Sequence, residues 1–279
     1  MEKLNSLWSN LQLNEEEDTS IMIEEEAVSE IKKKGDLSLI GKILSDRQLA
    51  TQVVESTLKK IWRLSKPAAL REVGRNMYVM IFATHADKQR IVEGRPWFFD
   101  GQLFVINPFD GISPIHDLKF DTAPFWVQFH NLPLFGMNRE VGVRLGSSIG
   151  EVQEVDVDDD NVGWGSSLRV KILIDMKKPL ARGRTCHLNG VKVWSPVQYE
   201  KLPRFCFTCG RIIHENVDCQ SNTDSSPQYG AWLRAVSSAK KKWNSSSEYS
   251  KKTSTSSGER QNMVTSDEDT VQVERKSQG

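Results

Sequence analysis

The chain has 279 residues, 38% hydrophobic and 27% charged, with 37 basic side chains matched by 37 acidic ones. That size and balance fit one or two packed domains with polar ends. No apolar run is long enough to cross a membrane, and the first ten residues lack the hydrophobic region of a signal peptide.

The zero net charge hides a segregation: net −6 over residues 1–36, +4 over 37–219 and +2 over 220–279. Local charge governs attraction to phosphate, because Coulomb forces are screened beyond roughly 8–10 Å at physiological salt. Residues 1–36 read as an acidic, disordered leader. Glu15–Asp18 and Glu24–Glu26 flank the apolar trio Ile21-Met22-Ile23, which is either a strand or a segment that docks a protein partner.

Residues 37–110 read as one α+β unit. The spacing predicts a strand over 37–44, then a helix capped by Ser45 or Asp46 that carries Leu49, Val53, Leu58, Ile61 and Trp62. Strands over 69–73 and 77–84 flank Gly74-Arg75-Asn76, a hairpin signal. Thr84 with Asp87 marks the N-terminus of a helix over 85–93, and Gly94 is placed as its left-handed terminator. Residues 98–107 read as a final hairpin or strand, turning at Asp100-Gly101. The order β-α-β-β-α-β is ferredoxin-like and is shared by RNA-recognition motifs. Those motifs stack bases on aromatics at set strand positions, which here are filled by Met77, Val79 and Ser38. The expected role of this unit is therefore a scaffold.

Residues 111–119 form a linker, and residues 120–200 read as a second α+β unit. A strand over 125–129 precedes a helix capped by Asn138, with Val141, Leu145 and Ile149 on one face. Residues 168–176 alternate as a strand, and Asn189-Gly190 predicts a two-residue hairpin between 185–188 and 191–194. From 176 to 214 the basic residues Lys177, Lys178, Arg182, Arg184, Lys192, Lys201, Arg204 and Arg211 face only Glu200. This run is the candidate phosphate-contacting surface.

Residues 201–220 contain Cys206-x2-Cys209-x4-His214-x4-Cys219. Three thiolates and one imidazole suit a tetrahedral zinc ion, and four filled positions leave no place for a catalytic water. A loop this short has almost no core, so the metal supplies its folding energy. The spacing and the Cys-Phe-x-Cys-Gly opening resemble the zinc knuckle of retroviral nucleocapsid and related retroelement proteins. That resemblance implies single-stranded nucleic acid as ligand, with Phe207 stacking on a base and Phe205 or Ile213 packing beside it. The family usually has Gly before the histidine, where Ile213 stands; a position needing positive φ would be strained by a β-branched residue. Residues 221–279 read as a disordered polar tail with an island at 229–234 and a Lys240-Lys241-Lys242 run.

Over most of residues 1–235 the chain resembles a large plant family that joins a domain of unknown function to a C-terminal CCHC zinc knuckle. That family is related to the first reading frame of LINE-type (non-LTR) retrotransposons. The resemblance is carried by the acidic leader, Leu39–Leu44, Gly94–Gly101, Trp126–Pro133, the knuckle and Tyr229–Arg234. It implies zinc, nucleic-acid binding and retroelement origin, without an enzymatic activity.

Other candidate sites point to structure. Asp156, Asp158, Asp159 and Asp160 read as a solvated loop, since two-metal chemistry needs carboxylates converging from several elements. His85, His116, His130 and His187 are scattered singly, and Cys186 and His187 point to opposite faces of one strand. Trp62, Trp97, Trp126 and Trp164 read as core or interface, while Trp194 lies near the basic run. The expectation is a non-enzymatic, zinc-dependent protein that binds single-stranded nucleic acid, RNA favoured, in the nucleus or cytoplasm. The alternatives are a protein-interaction adaptor that uses the knuckle and leader, or a decayed retroelement remnant.

Overall fold

In the computed structural model, which describes residues 7, 10–12, 14–109, 111, 113–213, 219 and 228–235, two five-stranded antiparallel sheets follow one another along the chain. The first is built from β1 (Ser38–Ile43), β2 (Ala69–Gly74), β3 (Met77–Ile81), β4 (Trp97–Phe99) and β5 (Gln102–Pro108). Helices α1 (Glu25–Asp36), α2 (Thr51–Trp62) and α3 (His85–Glu93) accompany it. The strand order is β2-β3-β1-β5-β4. This is the ferredoxin-like order, with β5 in the last strand's place and β4 added outside it as a hairpin.

Alternation along the strands divides this sheet into two buried faces. Leu39, Ile43, Tyr78, Met80, Phe104 and Ile106 pack with Val54, Leu58 and Trp62 of α2 and Ile91 of α3. Trp62 anchors that layer, stacked on Phe104 with ring centroids 6.3 Å apart. On the opposite face, Ile40, Val79, Leu103 and Val105 join one continuous core with the second sheet. RNA-recognition motifs leave the equivalent face open for stacking bases; here it is covered, with Val79 in the core and Met77 partly buried against it.

The second sheet contains β6 (Thr122–His130), β7 (Glu151–Val155), β8 (Ser167–Asp175), β9 (Gly183–Leu188) and β10 (Val191–Tyr199), with helix α4 (Arg139–Ser147) between β6 and β7. Its order is β7-β8-β6-β10-β9, the first sheet's order strand for strand. The pairing senses agree, and each second strand carries a register shift near its middle or end, at Glu72/Gly74 and at Val152/Glu154. The second unit is thus a ferredoxin-like copy with one helix missing. Where α3 joins β3 to β4, only the short connection 176–182 joins β8 to β9.

Local signals explain most elements. The Thr84 hydroxyl accepts from Asp87 N at 3.1 Å and the Asn138 carbonyl oxygen accepts from Val141 N at 3.0 Å, so both helix N-termini are capped by side chains. Asn189 and Gly190 both have positive φ, 49° and 79°, as a tight hairpin turn requires. Cations close the other helix ends. Lys171 Nζ and Lys201 Nζ donate to the Glu93 and Gly94 carbonyls at the end of α3, and Arg184 donates to the Ser148 carbonyl after α4.

Several expectations need correction. The leader is not disordered throughout: residues 25–36 form α1, which has Lys33 and Lys34 in its last turn. Helix α2 starts at Thr51 with no side-chain cap, and its buried stripe is Val54-Leu58-Trp62, leaving Val53 and Ile61 exposed. Gly94 is not left-handed (φ −72°); it is small because a Cβ there would meet the Trp97 ring at 2.6 Å. Residues 228–235 do not belong to an unstructured tail, since they pack on the knuckle and β10. The remainder of the predicted tail, including Lys240–Lys242, lies outside the described residues. Among the described residues, no helix is long and apolar enough to cross a membrane.

Candidate metal centre and nucleic-acid interface

The segment after β10 turns back on itself. Cys206 N donates to the Arg211 carbonyl at 2.9 Å, and Gly210 N donates to the Cys206 carbonyl at 2.8 Å. Gly210 supplies the left-handed residue that this turn needs, with φ 75°. The turn brings the sulfurs of Cys206, Cys209 and Cys219 within 4.8 Å of one another. Thiolates around a tetrahedral zinc stand roughly 3.8 Å apart, given Zn–S bonds of about 2.3 Å, so the three sulfurs fit that ion. His214, the fourth predicted ligand, lies outside the described residues.

The sulfurs are electrostatically unequal. Burial opposes ionisation of Cys206, but the backbone N–H groups of Cys209 and Thr208 and the Cys209 thiol donate to its sulfur and hold its pKa below the ordinary thiol value. Burial raises the Cys209 pKa, and the Cys206 and Cys219 sulfurs beside it raise it further, against an opposing backbone donor at Arg211. A cation among the three sulfurs would relieve the repulsion between them and favour their ionisation.

This loop is fixed to the second sheet. Ile212 N and Ile213 N both donate to the Met176 carbonyl, at 3.2 and 3.0 Å, and Leu180 N donates to the Gly210 carbonyl at 2.8 Å. The knuckle thus bonds to the connection that replaces the missing helix. Ile212, Ile213, Phe205 and Tyr229 pack against the large shared core. Ile213 is not among the residues with positive φ, so the strain anticipated for a β-branched residue there does not arise. Its side chain instead anchors the loop to the sheet.

Residues 228–235 hold the knuckle from the other side. The Tyr229 ring lies against Gly210, where a Cβ would meet it at 2.3 Å. Ala235 N donates to the Tyr199 carbonyl at 2.9 Å, and Arg234 donates to the Pro203 carbonyl at 3.0 Å. The Arg234 guanidinium also lies 5.2 Å from the Phe205 ring centroid. Sequence reading missed this clasp, although Tyr229, Trp232 and Leu233 stand out in a polar stretch.

Phe207 projects outward and is 46% exposed, supported by Phe205 with ring centroids 5.0 Å apart. Arg204, Arg211 and, on the β9–β10 hairpin, Lys192 are exposed. The other predicted basic residues have internal partners. Lys177 pairs with Asp121 at 3.1 Å and Lys178 with Asp175 at 3.5 Å. Arg182 bonds Gln228, Arg184 bonds Ser148 Oγ at 2.8 Å, and Lys201 reaches Gly94 as noted above.

The acidic run is occupied by its own loop: Asp158 accepts from Asp160 N at 3.0 Å, Val162 N at 2.8 Å and Trp164 Nε1 at 2.6 Å. Those donors hold its carboxyl below the usual carboxylate range. Asp156 pairs with Arg169, which also binds Glu200 at 2.7 Å and lies 4.4 Å from the Trp126 ring centroid.

Comparison with known proteins matches this geometry. Residues 32–111 match a family described as a domain of unknown function (DUF4283), and residues 174–221 match a family described as a zinc knuckle. An uncharacterized protein of Arabidopsis thaliana is 22% identical over 134 residues, covering 48% of this chain and 42% of that protein. The chain therefore matches less than half the length of that relative. A chain of the C. elegans NONO-1 homodimer aligns over 52% of this chain and 51% of its own length, at 16% identity and a TM-score of 0.22, too low to carry an argument. The knuckle family and the clustered cysteines support a zinc ion at this loop and, in general terms, zinc-dependent nucleic-acid binding.

Proposed function

We propose that this chain, a DUF4283 domain joined to a zinc knuckle, is a non-enzymatic protein that grips unpaired nucleic acid, RNA favoured, through the metal-folded loop. The observation that carries this reading is Phe207, half exposed on a loop fixed to the sheet, with exposed Arg204 and Arg211 on the same loop. A flat ring accepts any base face, and guanidinium groups pair with phosphate oxygens. Cys206, Cys209, Cys219 and His214 would hold the zinc. Bound there, the ion supplies the folding energy that a loop with little core lacks. The remaining basic residues, Lys177, Lys178, Arg182, Arg184, Lys192 and Lys201, extend the positive surface. Lys192 is exposed and adds its charge directly, whereas the carboxylates paired with Lys177 and Lys178 offset much of their field at distance.

Scaffolding by both sheets favours this reading over one in which the first unit binds RNA, since that unit's open face is part of the core. In the same reading the protein works in the nucleus or cytoplasm, where thiols stay reduced, and descends from a retroelement first reading frame. The apolar trio Ile21-Met22-Ile23 is strongly exposed between acidic blocks, which favours protein contact as a second role for the leader.

The test is anisotropy of a labelled single-stranded RNA at two salt concentrations, with and without a zinc chelator. The expected result is tight binding that falls steeply with salt and falls again on chelation. Phe207→Ala should weaken it by about tenfold, within the range for losing one base–aromatic stack. Binding that ignores the chelator would overturn the reading.

A further inference from the structure

We propose that a second base-binding site lies in the cleft between Trp194 and Trp232, so that one strand runs from the knuckle onto the β10 side of the second sheet. This rests on the nucleic-acid reading above and names where the strand goes after it leaves Phe207.

The cleft encloses about 610 Å³. Its lining includes His130, Arg182, Gln198 and Gln228 together with the two tryptophans, and contains no carboxylate among the described residues. Trp194 is 51% exposed and Trp232 is 54% exposed, each an indole with substantial surface in water. Both rings are backed by glycine. A Cβ on Gly183 would meet Trp194 Cζ2 at 2.5 Å, and a Cβ on Gly230 would meet Trp232 Cζ3 at 2.0 Å. Each ring therefore lies against bare backbone on one side and is open to water on the other. The backbone at each ring is also held: Asn131 Nδ2 donates to the Trp194 carbonyl at 3.0 Å, and Gln198 Nε2 donates to the Trp232 carbonyl at 2.7 Å. Rings carried on a held backbone and supported on one side lose less entropy on stacking than free ones.

The cleft's chemistry selects the ligand. Two flat rings match base faces. Arg182 already bonds Gln228 and Gln198 bonds the Trp232 carbonyl, but the guanidinium has five donors and the Gln198 carbonyl oxygen still accepts, which suits a phosphate and a base edge. An acidic peptide would satisfy Arg182 but leave the paired rings without a planar partner. The cleft also connects to the knuckle: the Arg182 guanidinium lies 5.6 Å from the Tyr229 ring centroid, and that ring packs on Gly210. Trp194 also lines a further depression of about 490 Å³, otherwise mostly aliphatic (Leu132, Leu188, Val191), where Phe135 and Lys192 are exposed.

The test uses the full chain loaded with zinc and fluorescein-labelled oligouridylates of about four and about twelve nucleotides, lengths that bracket a knuckle-sized and a knuckle-plus-cleft footprint. Trp232→Ala and Trp194→Ala should each weaken the long oligonucleotide by about tenfold and the short one by less than about twofold; Trp→Phe at either position should restore most of the loss. Photocrosslinking of a 5-iodouracil-substituted long oligonucleotide should label peptides containing Trp194 or Trp232.

No effect of either alanine on the long oligonucleotide would overturn the proposal. So would an equal loss for both lengths, which would mean the rings only support the knuckle. Binding of a proline-rich peptide that depends on these rings, with no oligonucleotide response, would also overturn it. Failure of the underlying reading looks different: Cys206→Ser would leave the short oligonucleotide's affinity unchanged.

Discussion

The two halves of the molecule share strand order, pairing sense and a register shift in the second strand, yet they complete themselves by different means. In the first half, α3 follows β3 and packs Ile91 into an aromatic and aliphatic layer around Trp62. In the second half, the chain runs straight from β8 to β9, and a cysteine-rich loop from beyond β10 returns to bond Met176 and Leu180. One half is closed by hydrophobic burial within a continuous segment. The other is closed by a loop whose own core is small, held by backbone bonds to Met176 and Leu180 and, in the reading proposed above, by zinc. The knuckle is thus bonded to the second sheet, and in the reading proposed above zinc bound there would tie metal content to the integrity of that sheet.

The comparison can be broken most forcefully at the ligands. Cys209→Ser should abolish zinc retention, measured by metal analysis after gel filtration, and lower single-strand affinity by about a hundredfold or more, while leaving the helices of the first half intact by circular dichroism. The reciprocal change is Trp62→Ala, which empties the centre of the first half's helix layer. It should cost about 3–5 kcal/mol in chemical denaturation while the mutant retains zinc. Ile213→Ala sharpens the link between loop and sheet: it should keep the ligands but loosen the docking by about 1–2 kcal/mol, read as faster zinc transfer to a competing chelator. The smallest effects belong to the caps. Thr84→Ala and Asn138→Ala should each cost about 1 kcal/mol, the first felt only in α3 and the second in α4, resolved by hydrogen exchange of those helices.

Much of both halves is legible in their residues because the signals are local. The Thr84/Asp87 and Asn138 caps and the Asn189-Gly190 turn are short-range chemistry, and each appears where its pattern places it. The duplication was hidden because the second half lacks one helix, so its pattern no longer spells β-α-β-β-α-β. Helix α1 was hidden by the charge blocks around it. The stripe of α2 was misassigned by one position because Val53 and Val54 are both apolar, and only the tertiary contact chooses Val54. At the site, three sulfurs come together as their spacing implies. The clasp of Tyr229, Leu233 and Arg234 could not be read, because its partners Gly210, Tyr199 and Pro203 lie far back in the chain. Ile213 looked like a flaw against the knuckle pattern, yet the same side chain is what ties the knuckle to the sheet.

The most direct test of the account is residue-resolved hydrogen exchange on the zinc-loaded chain before and after chelation. The prediction is that the amides of Leu180, Cys206, Gly210, Ile212 and Ile213, all bonded within the knuckle or between it and the 176–180 connection, lose protection together. Those of β1, β3 and β5 should keep theirs. Unchanged protection at Leu180, Ile212 and Ile213 after complete zinc removal would show that the loop holds its place without the metal, and would contradict the account.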